Sequence, residues 1–491
     1  MIVFPYNVRM AAGYLRPAGR VDVMTALGPY HGPWDDRLAA HLLRRAGFSG
    51  TPGEVARLAA MSPHDAAESL IHFPDTSALA PAPEVMAYPS SPRFAFKGLD
   101  EMQKREAARA RRQEAVGDII ALQEWWLGRM LTTPAPLQEK MTFVLHGHFT
   151  TAAVQKGVWP NLVLAQNQLF RQYALGNLHD LTVAVSKDPA MLLYLDNAEN
   201  NKSHPNENYS RELMELFTLG LGNYTEEDVR QSARAFTGWT IDRQTGEFTF
   251  NPRTHDDGVK TFLSRTGNFD GTDIVDIIYQ QRAAETFWAT TLLNAFVYND
   301  PEPELVNEFA NVIARNRFEL APTMSTLLRS NVFYSQRAYR ALVKSPVEFV
   351  VGAHKQLGLD RIVAGTPAAL RSMGQVLYYP PNVAGWPGGA NWLTSQMLIA
   401  RENFVTRLVN GRDMSSSTWV GQVPMDATKA SKEIVATILH GDAPDQAYAQ
   451  LVAYLDGSGT SALGMLSAEN YDERVRGAAY LTMAMPAYQL G

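Results

Sequence analysis

At 491 residues the chain exceeds the roughly 250–300 residues at which one hydrophobic core stops growing, so a large helical body or two packed lobes is expected. With 46% hydrophobic residues, 19% charged residues and a formal charge of −6, the composition is neither disordered nor membrane-spanning, and it carries no basic nucleic-acid footprint. Cys is absent, which removes disulfides, thiolate metal sites, thiol nucleophiles and cysteine-ligated haem together and leaves the redox compartment open.

Residues 1–33 are punctuated by Gly and Pro and read as an irregular arm. The opening MIVFPYNVRMAAGYLRPAGR holds no apolar core of the length a secretory signal needs, and no apolar run approaches the ~20 residues of a membrane span, so the chain as written reads as cytoplasmic. Helical periodicity begins at Trp34-Asp35-Asp36, and Thr51-Pro52-Gly53-Glu54 has the spacing of a capping box with Pro at the first helical position. Prolines recur from 71 to 97, which predicts a linker that wraps the surface or meets a partner. The spacing then predicts one long helix over 100–131. Its basic run, Lys104 to Arg112, is broken by Glu106 and followed by Glu114, so it reads as a solvated helix face rather than a polyanion site. A helix restarts in LQEKMTFVLHGHF, and others are predicted at 161–176, 178–187, 209–220 and 226–238.

Between Trp239 and Phe250 the period changes. Alternating WTID and EFTF flank Arg243-Gln244-Thr245-Gly246, which predicts a small β-hairpin. Helical spacing returns at 273–293, 302–315, 321–329, 336–356 and 366–377. Residues 378–389, YYPPNVAGWPGG, cannot continue a helix and predict a rigid loop presenting Trp386, either capping the core or facing a ligand. Residues 411–445, with Ser415 to Ser417, read as a variable surface region. The expected fold is therefore mainly α with one small hairpin. Its expected organisation is the arm 1–33, a helical lobe 34–265 that holds the polar chemistry, and a C-terminal helical lobe 266–491.

Four stretches concentrate that chemistry. His146-Gly147-His148 chelates one metal only if Gly147 ends the helix, because on a helix the two rings diverge by about 200°. The alternative is one pocket-lining imidazole and one core hydrogen bond. In HPNENYSRELMELF, Tyr209, Leu213, Leu216 and Phe217 form the apolar stripe, Asn206 or Asn208 is a candidate N-cap, and Glu207 pairs with Arg211. Asn208, Glu212 and Glu215 make a polar row beside that stripe, where a raised carboxyl pKa and acid/base chemistry become possible. Thr225 and Asp228 form a further capping box, with Arg230 and Arg234 placed to neutralise carboxylates of the preceding helix. His255-Asp256-Asp257-Gly258-Val259-Lys260 packs a metal ligand, a base and an anion contact into one loop. Nucleotide-binding glycine loops, Gly-x-Ser-x-Gly and His-Glu-x-x-His are all missing.

Taken in order, AAHLLRRAGF, LQEWWLGRML, LQEKMTFVLHGHF, DPAMLLYLDNAEN, HPNENYSRELMELFTLG, NYTEEDVRQSARAFTGW, HDDGVKTFL and PPNVAGWPGG resemble the bacterial family called domain of unknown function 1800, from about residue 34 to 408. The resemblance implies a polar signature on His146, His148, Asn206, Glu207, Arg211, Glu212, His255, Asp256 and Lys260. It also implies relatives that look exported, often encoded beside a sulfatase-like protein, although this chain shows no readable signal.

The expectation is an enzyme, a hydrolase or lyase acting on a polysaccharide or other polymer. Glu212 or Glu207 would serve as acid/base, with Arg211 as anion clamp and His148 and Lys260 in support. Trp386, Asn382 and Asn206 would contact substrate, and His146, His148, His255 and Asp256 would hold a divalent metal or form its metal-free equivalent. The alternatives are a binding or assembly protein whose polar cluster is a structural network, and a His-ligated haem or redox protein.

Overall fold

The computed structural model describes residues 22–88, 98–411, 426–458, 466–467 and 469–491. Most of the predicted arm, the end of the Pro-rich segment and the Ser415–Ser417 run lie outside these residues. After a single turn, Val23–Ala26, the helices in order are α1 (Asp36–Arg45), α2 (Pro52–Ala59), α3 (Pro63–Ile71), α4 (Glu101–Thr132), α5 (Pro136–His148), α6 (Pro160–Gln172), α7 (Leu178–Ser186), α8 (Pro189–Tyr194) and α9 (Asn208–Glu212). The chain continues from α9 into a six-residue π-helix, Leu213–Thr218, and then α10 (Glu226–Ala235). Two hairpins follow, β1 (Trp239–Ile241) with β2 (Phe248–Phe250), and β3 (Lys260–Phe262) with β4 (Arg265–Gly267). The remainder is helical: α11 (Gly271–Ile278), α12 (Arg282–Phe296), α13 (Pro303–Arg315), α14 (Leu320–Leu328), α15 (Pro346–Gln356), α16 (Thr366–Ser372), α17 (Ser395–Val409), α18 (Ala427–Leu439), α19 (Asp445–Asp456) and α20 (Tyr471–Met483). The protein is mainly α.

Local signals start these helices where the sequence places them. Thr51 with Glu54, and Thr225 with Asp228, form complete capping boxes, each relieving two of the four unpaired amides at a helix start. The first hairpin forms between the two alternating segments, as expected, and pairs Trp239 with Phe250 and Ile241 with Phe248.

Three expected helices come out differently, each for a local reason. The predicted 336–356 helix begins only at Pro346, capped by Ser345 and Glu348, because Pro disfavours helical backbone in the residue before it. The 366–377 helix ends at Ser372, ahead of Gly374 with φ +87, a left-handed residue of the kind that stops helices. The 273–293 segment divides into α11 and α12 around Tyr279–Gln281. The second hairpin has no Gly or Asn at its tip. Leu263 and Ser264 carry the positive φ values there, +43 and +66, so the usual sequence mark of a tight hairpin is missing.

Long α4 starts solvated and buries one face from Ala115 onward, with Trp126 fully enclosed. The Pro-rich segment lies along it: Trp125 Nε1 donates to the Ala80 carbonyl at 2.7 Å and the Asp118 carboxylate accepts from the Met86 N–H at 2.7 Å. On its other side α4 packs against α15 and α16. Buried apolar side chains form one contiguous cluster from Ala26 to Tyr488.

One buried ionic group pins this interior. Glu139 on α5, fully buried, accepts from Arg129 Nε at 3.0 Å, from Arg171 Nε at 2.7 Å and from Trp126 Nε1 at 2.9 Å. Burial alone would push the Glu139 carboxyl up, but the two guanidinium groups hold it below its ordinary value.

Candidate functional site

The imidazoles of α5 part company, as the helical geometry requires. The helix runs unbroken through His148, so the chelating arrangement of His146 and His148, which needed Gly147 to end it, does not form. His146 turns into the core, where its Nε2 accepts the Tyr378 N–H at 3.1 Å and its ring packs on Trp126, Tyr378 and Trp386. Burial drives its pKa down to about 3, so it stays neutral. His148 faces a different set of rings, Phe149, Phe217, Phe287 and Trp288. Its Nε2 lies 2.9 Å from the Phe217 carbonyl, which only accepts, so Nε2 carries the proton and Nδ1 keeps its lone pair. Burial also lowers this histidine, to about 4.

Phe217 belongs to the π-helix, and the bond from His148 satisfies a carbonyl near a helix end that has no partner in the helix itself. The wide turn is locked by Thr218, whose hydroxyl donates to the Leu213 carbonyl at 2.5 Å. Such π-turns recur at functional sites because they re-aim side chains along an otherwise regular helix. Here the junction carries Glu212 and Glu215. Glu215 accepts from the Tyr224 hydroxyl at 3.0 Å. Glu212 is half-buried and has no hydrogen bond or ion pair among the described residues. Its pKa is raised, first by burial and then by the charge of Glu215, against a weaker opposing pull from Arg211. Tyr194 beside it is raised by burial, then by the charge of Glu212 and by Tyr379.

That last residue joins the Pro/Gly/Trp loop to the group. The loop is fastened to the end of α5: the Tyr378 carbonyl accepts the Ala153 N–H at 2.8 Å, and Thr150 donates to the Val383 carbonyl. Gly385, at φ +80, presses so close to the Gly147 carbonyl that a Cβ would stand 2.6 Å from it. The loop so fixed presents Tyr379, 42% exposed, and half-buried Trp386. Asn382 is turned to its own loop, its side-chain oxygen accepting the Ala384 N–H at 2.9 Å.

The other predicted residues lie around or away from this group. The residue before α9 is Glu207, whose side chain makes no capping bond, so neither Asn206 nor Asn208 is the N-cap; Asn206 accepts the Asn208 N–H at 2.9 Å and is itself held by the Asn200 side chain. Glu207 and Arg211 pair at 3.1 Å as the spacing predicts. Arg211 also engages Glu226 through two nitrogens, at 2.6 and 2.8 Å, so the expected anion clamp is already occupied. Arg230 pairs with Glu227 of its own helix rather than with the preceding one.

The 255–260 loop folds on itself. Arg234 grips Asp256 through two bonds, at 2.7 and 3.1 Å, and holds its carboxyl low. The His255 Nδ1 donates to the Thr237 carbonyl at 2.7 Å. Lys260, expected among the catalytic residues, is buried and spends its ammonium on the Asp256 and Gly258 carbonyls, at 2.5 and 3.1 Å. With the Asp256 carboxylate held by Arg234, the ammonium takes backbone oxygens instead. His146, His148, His255 and Asp256 accordingly do not make a ligand set, and among the described residues no three His, Cys, Asp or Glu side chains are grouped to hold a metal ion.

Tyr194, Tyr224 and Tyr379 are the residues that sequence reasoning did not single out. The doubled Tyr378-Tyr379 ahead of two prolines was the available signal for one of them. What the fold and site define is a helical protein with an unpartnered glutamate set among tyrosines at a π-helix. The sequence profile of the family described as Protein of unknown function (DUF1800) matches residues 41–490, and the chain belongs to that family. The match runs through α18 to α20, beyond the segments that carry the resemblance. No curated protein and no solved structure matches the chain.

Proposed function

We propose that the protein is an enzyme, a hydrolase or lyase acting on a polysaccharide or other polymer, in which Glu212 is the general acid/base. In hydrolysis Glu212, whose proton is favoured by burial and then by the Glu215 charge, would give that proton to the departing oxygen as water adds at the carbon the oxygen leaves. His148 would offer its Nδ1 lone pair. Tyr379 and Trp386, on a loop anchored to α5, would be the flat surfaces on which sugar rings stack.

The observation that carries this reading is the state of Glu212. Buried Glu139 and half-buried Glu348 and Asp442 each have a cationic partner, and Asp188 and Glu402, which have none, are hydrogen-bonded by Gln166 and Tyr480, whereas partly desolvated Glu212 has neither kind of partner among the described residues. A carboxylate kept in that state costs stability and is characteristic of sites selected for chemistry.

The test needs no known substrate at first. Glu212→Gln puts a neutral amide where the charged form of the carboxyl is disfavoured, so the variant should be at least as stable as the parent in urea unfolding at neutral pH, and Glu215→Gln should lower the Glu212 pKa read by carboxyl-labelled NMR. A panel of polysaccharides scored by release of reducing ends then identifies turnover, which Glu212→Gln should abolish. Clear destabilisation by Glu212→Gln, or turnover that survives it, refutes the assignment and favours a structural polar network.

A further inference from the structure

Far from Glu212 in sequence, the last turn of α1 delivers Arg44 and Arg45 to a recess completed by Ser49, Lys344, Glu348 and Gly491. All three cations are buried, at 5%, 2% and 5% exposure respectively. The Arg44 guanidinium lies against the Tyr339 ring at 5.5 Å, and apart from a weak interaction with the Tyr339 hydroxyl its nitrogens meet no partner in hydrogen-bonding geometry. Arg45 donates only through Nη2, to the Ala338 carbonyl at 2.5 Å, leaving Nε and Nη1 unpaired. The Lys344 ammonium sits over the Tyr488 ring at 3.9 Å and makes no hydrogen bond or ion pair among the described residues.

The neighbouring carboxylates are already engaged. Glu348 is bound by Lys140 and by the Ser345 N–H. Asp442 is bound by Arg340 at 2.7 Å and by the Tyr339 hydroxyl at 2.8 Å. Burial consequently drags Arg44 down to about 10, Arg45 to about 9 and Lys344 well below its ordinary value. Orphaned buried donors call for an explanation, and an ion is one of the few available. About 20 Å³ of the recess is open to the centres of water-sized atoms, which suits a compact ion.

We propose that this recess is an anion site, holding a single small oxyanion of the phosphate or sulfate type against Arg44, Arg45 and Lys344, with the Ser49 hydroxyl as a further donor. Two guanidinium groups with unpaired nitrogens and an ammonium match such an ion in charge and in donor type. Because the donors come from α1 and from the segment leading into α15, occupancy would tie these two parts of the chain together. None of the lining residues belongs to the Glu212 group, so the proposal stands apart from the catalytic one.

The test is thermal unfolding and calorimetric titration of the dialysed whole protein with inorganic phosphate and with sulfate, against chloride at equal ionic strength. A saturable rise in Tm with phosphate or sulfate, absent with chloride, is expected. Lys344→Met should remove that rise without lowering Tm in the absence of phosphate, since it deletes an uncompensated buried charge. Arg45→Met should weaken binding by about tenfold or more, the worth of one charge-assisted hydrogen bond. The proposal is overturned if the wild-type protein melts alike in phosphate, sulfate and chloride, a comparison that depends on no variant folding. It is equally overturned if Lys344→Met keeps the oxyanion-dependent rise.

Discussion

Acidification from pH 7 to pH 5 should weaken this fold, because its buried histidines are neutral. Their pKa values inside the protein are about 3 for His146 and about 4 for both His148 and His354, against an ordinary 6.5. Between 6.5 and those values the unfolded chain binds protons that the native state refuses. The stability they contribute is thus complete above about pH 6.5 and drains away as the pH falls toward 4. At about 1.4 kcal/mol per pH unit, each histidine forfeits roughly 1.9 kcal/mol by pH 5, and the three together about 5–6 kcal/mol.

Asp188 acts in the opposite direction. Burial raises it to about 7, so the native state gains a proton over the same interval and recovers roughly 2 kcal/mol. The balance is a loss of about 3 kcal/mol, and His41 and His440, both driven well below 6.5 by burial, add to it. Urea unfolding at the two pH values measures the difference. His146→Asn, which keeps an acceptor for the Tyr378 N–H, should shrink it by about 1.9 kcal/mol. A protein equally stable at both pH values, or more stable at pH 5, refutes the claim that these imidazoles are neutral and buried.

Glu139→Gln should destabilise by about 3–5 kcal/mol, because it strands Arg129 and Arg171 as buried charges; a loss under about 1 kcal/mol in denaturant unfolding contradicts this. Gly385→Ala meets both the left-handed backbone and the Gly147 carbonyl, and should cost about 1–3 kcal/mol. Faster amide exchange at Tyr378 and Ala153 would mark the loosened loop, and unchanged exchange would show that the loop is not pinned there. Thr225→Ala removes the α10 cap and should cost about 1 kcal/mol, a thermal or urea difference that vanishes if Asp228 alone can hold the helix start.

The mainly α character, the capped starts at Thr51 and Thr225, the Trp239–Phe250 hairpin and the Glu207–Arg211 pair were all legible in the sequence. Each depends on residues within a dozen positions of one another, where helical or strand periodicity, Pro and capping side chains act directly. The second hairpin was not, since Leu263 and Ser264 adopt left-handed backbone that neither residue type announces.

What the tertiary structure decided is which distant groups meet. Packing placed the Phe217 carbonyl over His148, 69 positions away, and the Tyr378 N–H over His146, 232 positions away, fixing tautomers and burial that no local pattern encodes. It gave Asp256 to Arg234 and Lys260 to backbone carbonyls, while leaving Glu212 with neither. A side chain's type is written in the chain, but its solvation and its partners depend on contacts between separate elements. The same carboxylate can therefore end as a buried anchor at Glu139 or as an unpaired acid at Glu212.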